Sequence, residues 1–144
     1  MKSVLCNRLE NLQISLKETI EAMIRLAKEW NALHSDRLLQ YGDIARPGGI
    51  NTPDHSTHKT GKAFDVRLQR KDNSTGGFSY TQTAVYNQPL TKEFILLGVQ
   101  LYPGTTFLFN DPVLNETDKD TRDIVNPSAG HNDHLHVMFP GGKE

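Results

Sequence analysis

The sequence predicts an α+β fold: a small, mainly antiparallel sheet with a long N-terminal helix packed on it. Three observations lead to this prediction. One long apolar periodicity occupies the N-terminal part of the chain, short stretches rich in aromatic and β-branched residues follow it, and the length of 144 residues suits one domain. A sheet of short strands covered by one long helix buries enough apolar surface for such a domain. We divide the single domain, 1–144, into a helical segment, 1–37, and a core, 38–144.

The predicted helix covers residues 8 to 34. Its apolar residues recur three or four positions apart and form one stripe, which comprises Leu5, Leu9, Leu12, Leu16, Ile20, Met23, Ile24, Ala27 and Trp30. Charged residues occupy the positions between them. A coiled coil or a partner-binding helix would show the same pattern, but because only one such helix is present, packing against the sheet is favoured.

The remaining elements are short. Aromatic and β-branched content predicts strands, and those strands are 38–44, 62–68, 105–109 and 134–139. A second helix is predicted over 89–98, with Thr91 as a cap and Gly98 as its stop. Polar, turn-forming composition predicts a loop or loose hairpin at 69–88 and an exposed loop at 113–130.

Five of the six histidines lie in two short blocks. The block at 55–66 contains His55, His58 and Asp65, and the block at 131–137 contains His131, His134 and His136. Zn²⁺ binds imidazole nitrogen and carboxylate oxygen, and a catalytic zinc site uses three protein ligands. Histidines in solvated loops would explain each residue singly but not the whole pattern. The sequence therefore predicts that the sheet carries a zinc site.

The spacing inside each block suits convergence on one ion. Residues two apart on a strand face the same side, so His134 and His136 point into the same pocket. Gly61, between His58 and Asp65, gives the backbone freedom to bring both side chains together. Spacing alone also permits His134 and His136 both to bind the metal, which would give a closed, structural site of four ligands.

The first block also carries a recognisable motif. SxHxxGxAxD, which is Ser56 to Asp65 here, resembles the signature of the LAS metallopeptidase superfamily. The wider pattern HxxHxxGxxxD followed by HxxHxH is closest to the penicillin-insensitive murein endopeptidases within that superfamily. The upstream phrase GDIARPGG, residues 42 to 49, is similar to a stretch that precedes the histidines in that branch. A Hedgehog-like fold is shared by the superfamily, and the resemblance implies it for this chain.

The resemblance implies a role for each residue of the two blocks. His58, Asp65 and His136 would hold Zn²⁺, with water in the fourth position. His134 would take the proton of that water and then protonate the leaving amine. His131 would assist proton transfer, and His55 would contact the substrate or a second ion.

Asp133 is a competing general base. In the D-Ala-D-Ala dipeptidase branch of the superfamily a carboxylate stands three residues before the last histidine ligand, as Asp133 stands before His136. An in-strand Asp133 would point away from His134, so it ranks second; it would alternatively orient a ligand histidine. Ligand type also permits Mn²⁺ or Fe²⁺ at a site of two histidines and one aspartate.

Positively charged residues occur close to both motifs. Arg46, Lys59 and Arg67 are the nearest in sequence to the predicted ligands. A positive side chain near a metallopeptidase site often holds a substrate carboxylate or the developing oxyanion. Ordinary surface charge is the favoured interpretation for each of the three.

The implied activity is that of a zinc metallopeptidase that cuts amide bonds in peptidoglycan cross-links, between D-alanine and a diamino acid. The alternatives are a D-Ala-D-Ala carboxypeptidase or dipeptidase, and a zinc-binding module without catalysis. The chain is shorter than the periplasmic murein endopeptidases and lacks their cysteine pairs, since Cys6 is its single cysteine. The predicted partner is a peptidoglycan peptide.

Other partners are not indicated. A net charge of −1 gives no electrostatic footprint for nucleic acid, and no segment reaches the length of a membrane span. No secretory signal is visible near the N-terminus. We therefore expect a protein that is made in the cytoplasm and acts at the cell wall or in the periplasm, either as a phage lysin or as a secreted effector.

Overall fold

The computed structural model describes residues 4–44 and 63–140; for 4–16, 43 and 44 only the backbone element is described. The elements, in chain order, are α1 (Val4–Leu33), β1 (Tyr41–Ile44), β2 (Ala63–Arg67), α2 (Gln88–Leu101), β3 (Thr106–Leu108), one π-helical turn (Val113–Thr117), β4 (Val125–Asn126) and β5 (His134–Met138). The predicted mixed α and β architecture, with a small sheet and a long N-terminal helix, is confirmed.

The five strands of the described ranges form one sheet in the order β1-β2-β5-β3-β4. Strands β1, β2, β5 and β3 pair antiparallel in turn, and β4 joins β3 in parallel. The pairing of β2 with β5 is regular along its length, with Phe64 opposite Val137 and Asp65 opposite His136. The two predicted motif strands are therefore direct neighbours, although 71 residues separate Asp65 from His136.

Strands β2 and β5 have two different faces because side chains alternate along a strand. On one face Phe64, Val66, Leu135 and Val137 are buried in the main hydrophobic cluster. That cluster continues into both helices and into β3 through Phe107. The opposite face carries the polar residues of the two sequence blocks.

The described part of α1 packs against α2 through one edge. Ala22, Leu26 and Trp30 are buried, and the Trp30 ring meets Phe94 of α2 edge-on at 5.6 Å between centroids. The single apolar stripe was predicted too broadly: Ile20 and Ile24 lie on the adjoining edge and are exposed. Helix α1 packs through Ala22, Leu26 and Trp30, because α2 covers only one side of it.

Helix α2 begins one turn earlier than its predicted cap. Asn87 caps it, with its side chain accepting a hydrogen bond from the Leu90 backbone N–H at 3.1 Å. Thr91 is instead buried inside the first turn, where its hydroxyl donates to the Asn87 carbonyl at 2.9 Å. The predicted stop at Gly98 was also wrong. The helix continues to Leu101 and Gly98 lies against the Phe107 ring.

The segment 113–130 was predicted to be an exposed loop, and this is wrong for residues 114 to 125. Leu114, Thr121 and Val125 are buried. The Thr121 hydroxyl donates to the Leu114 carbonyl at 2.7 Å, and Val125 pairs with Phe107 in the sheet. Three apolar or hydroxyl residues spaced along a polar stretch were enough to fold it onto the edge of the sheet.

The polar segment 69–88 is joined at its base by one bridge between Arg70 and Tyr86. Tyr86 packs near Phe109 in the core, and its hydroxyl donates to the Asp111 carboxylate at 2.7 Å. Burial and this hydrogen bond raise the pKa of Tyr86 well above its ordinary value, so the phenol stays protonated.

Among the described residues, none of the helices has both the length and the apolar character needed to cross a membrane.

Candidate functional site

Two of the predicted site residues, His55 and His58, lie outside the described residues, as do Arg46, Lys59 and Gly61. The others are brought together. Asp65 of β2 and His134 and His136 of β5 share one face of the sheet, and His131 stands just before β5 beside them. The sequence prediction that residues 134 and 136 face the same side is confirmed.

Asp65 and His136 form the buried centre of this face. They are directly opposite each other in the β2–β5 register, and the Asp65 Oδ1 and His136 Nδ1 atoms lie 3.1 Å apart. The His136 ring is fully buried and Asp65 is nearly so. A charged carboxylate out of water needs a partner, and the adjacent imidazole supplies one.

The space beside Asp65 is kept open by a glycine on the neighbouring strand. Gly42 of β1 lies so close that a Cβ at that position would stand 3.3 Å from the Cβ of Asp65. That distance is tighter than an ordinary contact, so a side chain at position 42 would crowd Asp65 and shift it.

His134 lies between the two aspartates of the site. Its Nε2 atom is 3.9 Å from Asp65 Oδ2, and its Nδ1 atom is 2.7 Å from Asp133 Oδ1. A carboxylate can only accept, so Nδ1 of His134 donates to Asp133. In the neutral ring this leaves the basic lone pair on Nε2, the atom that faces the centre of the site.

An in-strand Asp133 would point away from His134, but the structure does not place Asp133 in the strand. Strand β5 begins at His134, so Asp133 precedes it and strand alternation does not apply to its side chain. The Asp133 carboxylate is exposed on its outer side and bonds to the His134 ring. Asp133 therefore orients the His134 ring through Nδ1, the nitrogen that faces away from Asp65.

His131 is buried next to both strand histidines. Its ring centroid is 4.9 Å from that of His134 and 5.7 Å from that of His136. The Nδ1 atom donates to the Ala129 carbonyl at 2.9 Å. Burial lowers the pKa of His131. The hydrogen bond to the Ala129 carbonyl raises it by a smaller amount, and the nearby His134 and His136 lower it further. The ring is therefore held neutral at neutral pH.

The turn that carries His131 is fixed by residues that sequence analysis did not single out. The Asn110 backbone N–H donates to the His131 carbonyl at 3.0 Å, and the Asn110 side chain accepts from the Ser128 N–H at 2.8 Å. Asn132 bonds to the Asn110 side-chain amide at 2.7 Å, and its carbonyl accepts from the Tyr80 N–H. Only the asparagine-rich composition of these turns hinted at such a role.

The donor atoms fit a zinc ion in kind and in spacing. Two atoms bound to one tetrahedral zinc at about 2.0–2.1 Å stand roughly 3.3 Å apart, and Asp65 Oδ1 and His136 Nδ1 are 3.1 Å apart. Among residues 4–44 and 63–140, no group of three or more His, Cys, Asp or Glu side chains is arranged to hold a metal ion. The predicted set takes its third ligand from His58, outside those ranges.

Comparison of the sequence with models of known protein families gives no match, and comparison with curated proteins gives none either. The chemistry of this face therefore rests on its own geometry.

Proposed function

We propose that this protein is a zinc metallopeptidase of the LAS type that cleaves amide bonds in the peptide cross-links of peptidoglycan. The observation that carries the proposal is the arrangement on one face of β2 and β5. A buried Asp65–His136 pair stands beside His134, whose far nitrogen is held by the Asp133 carboxylate. That combination supplies two metal ligands and an oriented base next to them.

His58, Asp65 and His136 would hold the zinc ion. Zinc supplies a Lewis acid that polarises a carbonyl oxygen and makes a water molecule acidic near neutral pH. Directly opposed positions on neighbouring strands hold Asp65 and His136 side by side, and His136 would give up the Nδ1 proton that faces Asp65 in order to bind zinc. His58 is proposed from the motif alone.

His134 would act as the proton carrier. In the neutral ring Nε2 has the lone pair, so it takes the proton of the attacking water at that atom and later gives it to the leaving amine nitrogen. The positive charge that His134 gains in between is stabilised by Asp133 at 2.7 Å from Nδ1. This division of labour follows that proposed for Ser-His-Asp sites, where a carboxylate also holds the imidazole.

His131 and His55 complete the proposed site. His131 is buried and held neutral, so it assists proton transfer at its Nε2 atom without adding charge beside His134. His55 would contact the substrate. Because cross-linked peptidoglycan lies outside the cytoplasmic membrane, the protein would act there, as a phage lysin or a delivered effector.

A second candidate function is a D-Ala-D-Ala carboxypeptidase or dipeptidase, which would use the same residues on a shorter peptide. Arg67, at the end of β2 on the same face, supports this second candidate. A carboxypeptidase must recognise the terminal carboxylate of its substrate, and an arginine can bind that group. A zinc module without catalysis is disfavoured, because a structural ion has no use for a histidine oriented by its own carboxylate.

The test is digestion of purified peptidoglycan with the zinc-loaded protein, with the released fragments identified by mass spectrometry. Loss of cross-linked dimers with a matching gain of monomers is expected. Release of free D-alanine would support the carboxypeptidase instead. His136→Ala serves as the control and should release nothing. Intact peptidoglycan in the presence of stoichiometric bound zinc would overturn both enzymatic assignments.

A further inference from the structure

Arg67 is set apart from the other arginines of the described residues by its position. It is the last residue of β2, two residues beyond Asp65, so both side chains lie on the same face. In the β2–β5 register it stands directly opposite His134. The Arg67 backbone therefore lies beside that of the proposed proton carrier, roughly 6.6 Å along the strand from Asp65.

The Arg67 side chain is exposed, and within the described residues its guanidinium makes no hydrogen bond or ion pair. Two other arginines line the same small polar cavity and are both occupied. Arg37 donates to the carbonyl oxygens of Arg70 and Asp72. Arg70 binds the Asp72 carboxylate at 2.8 Å and lies over the Phe78 ring. Of the three, only Arg67 keeps its donors available.

The neighbouring loop is built to receive this guanidinium. A Cβ at Gly77 would overlap Nη1 of Arg67, so only glycine permits the side chain to lie where it does. Gln40 holds loop and strand together: its carbonyl accepts from the Arg67 N–H at 2.9 Å, and its side chain accepts from the Gly76 N–H at 3.2 Å. Such support reduces the rotamer entropy that binding would cost.

We infer that Arg67 binds a free carboxylate of the substrate peptide, within two residues of the amide bond that is cut. The inference rests on the proposed function, because it takes Asp65, His136 and His134 as the place where the amide lies. One residue of an extended peptide spans roughly 3.3–3.6 Å. The offset of Arg67 from Asp65 along the strand therefore matches about two residues of bound peptide.

The ligand class follows from the shape of the donor. A guanidinium presents a planar fork of N–H groups that pairs with both oxygens of a carboxylate. Close to the D-alanine–diamino acid bond, peptidoglycan peptides offer two such groups, the carboxylate at the C-terminus and the carboxylate of the diamino acid. Recognition of the first is what a carboxypeptidase requires, and recognition of the second would select cross-links with an unmodified diamino acid.

The experiment uses two matched pairs of synthetic cross-linked peptides and the full-length, zinc-loaded protein. In one pair the C-terminal carboxylate is free or amidated, and in the other the diamino-acid carboxylate is free or amidated. The ratio of kcat/KM, free acid over amide, is measured for wild type, Arg67→Gln and Arg67→Lys. Arg122→Gln, a change of another exposed arginine, is the matched control. In parallel, the Arg67 Nε–Hε signal is followed by NMR during titration with each product peptide.

For wild type and for Arg122→Gln, we expect kcat/KM to be about tenfold or more higher for the free acid than for the amide in one of the two pairs. The pair that shows this ratio identifies the carboxylate that is bound. Arg67→Gln should bring that ratio close to one, and Arg67→Lys should keep part of it. The Nε–Hε signal should shift only with the free acid. Equal cleavage of acid and amide by wild type, or an unchanged ratio in Arg67→Gln, overturns the inference alone. Cleavage of no peptide overturns the proposed function, and an unmoved Nε–Hε signal then overturns the inference as well.

Discussion

The two faces of β2 and β5 are built from the same ten residues and are chemically opposite. On the core face, Phe64 and Val66 lie opposite Val137 and Leu135, and all four belong to the buried hydrophobic cluster. On the other face, Asp65 meets His136, and Arg67 stands opposite His134. Since alternation along a strand is strict, each apolar residue that anchors the strand also sets the direction of the polar residue beside it.

This difference separates stability from chemistry along a single pair of strands. Packing on the core face stabilises the pairing register of β2 and β5. That register places Asp65 directly opposite His136 on neighbouring strands. The polar face carries charge and imidazole groups that cost free energy to bury, and the core face offsets that cost. Substitutions on the two faces should therefore act on different measured quantities, as the following predictions state.

The largest effect is expected on the polar face. His134→Ala should lower the rate of peptide cleavage by about 10²–10⁴-fold, because it removes the proposed proton carrier while Asp65 and His136 remain. The free energy of unfolding should change little, since His134 is partly exposed. Activity is measured by fragment release and metal content by elemental analysis. Retained zinc supports the assignment as proton carrier, whereas lost zinc would make His134 a ligand.

On the core face, Phe64→Ala should lower the free energy of unfolding by about 3–5 kcal/mol, because it leaves a large cavity beneath the sheet. Phe64 is fully buried and meets the Tyr41 ring edge-on. Urea unfolding followed by circular dichroism measures the change. Leu38→Ala, at a position with 75% exposure, is the matched control and should stay within about 0.5 kcal/mol of wild type. An equal loss in both variants would contradict the packing described here.

Asp133→Ala should reduce activity by about 10–100-fold through loss of the carboxylate that orients His134. The expected change is in kcat more than in KM, because Asp133 acts on the proton carrier and not on the peptide. Asp133→Asn keeps one acceptor oxygen and should recover part of the activity. Asp123→Ala, which removes another exposed carboxylate, is the control. Full activity in Asp133→Ala would show that the 2.7 Å contact has no role in turnover.

The smallest effect is expected for the buried hydrogen bond between Tyr86 and Asp111. Tyr86→Phe removes the hydroxyl that donates to Asp111 and should cost about 1–3 kcal/mol of unfolding free energy. Asp111 keeps the Gln88 amide at 2.8 Å and the Val113 N–H at 3.0 Å, which limits the loss. Tyr80→Phe is the control, because no hydrogen bond of its hydroxyl is found in the described residues. Comparable losses in both variants would rule out a specific contribution of the pair.

Periodicity predicted the elements that alternate or repeat strongly. The long helix, the two motif strands and the shared face of His134 and His136 all follow from residue spacing, and the structure has them. Register could not be predicted in the same way. That Asp65 lies opposite His136, and Arg67 opposite His134, depends on pairing between segments far apart in the chain, about which local patterns carry no information.

The errors have a common physical cause, which is that tertiary contacts override local signals. Thr91 has a side chain that can cap a helix, yet Asn87 is the residue that accepts a hydrogen bond from the Leu90 N–H. Thr91 lies inside the first turn and donates to the Asn87 carbonyl. Asp133 ranked second as a base on the supposition that it continued the strand, yet the strand begins one residue later. Ile20 and Ile24 are as apolar as the buried positions of α1, but no described element covers them. The zinc ligand His58 and the substrate contact His55 stay predictions.

The position of β5 in the sheet has a consequence for how the protein is made. Among the described strands it is the last in chain order, yet it lies between β2 and β3 and pairs with both. The sheet therefore cannot close during synthesis until β5 has left the ribosome, and its contacts have a long sequence separation, which slows folding. Because the same strand carries His134 and His136, a nascent chain that lacks it has neither a complete sheet nor a complete site.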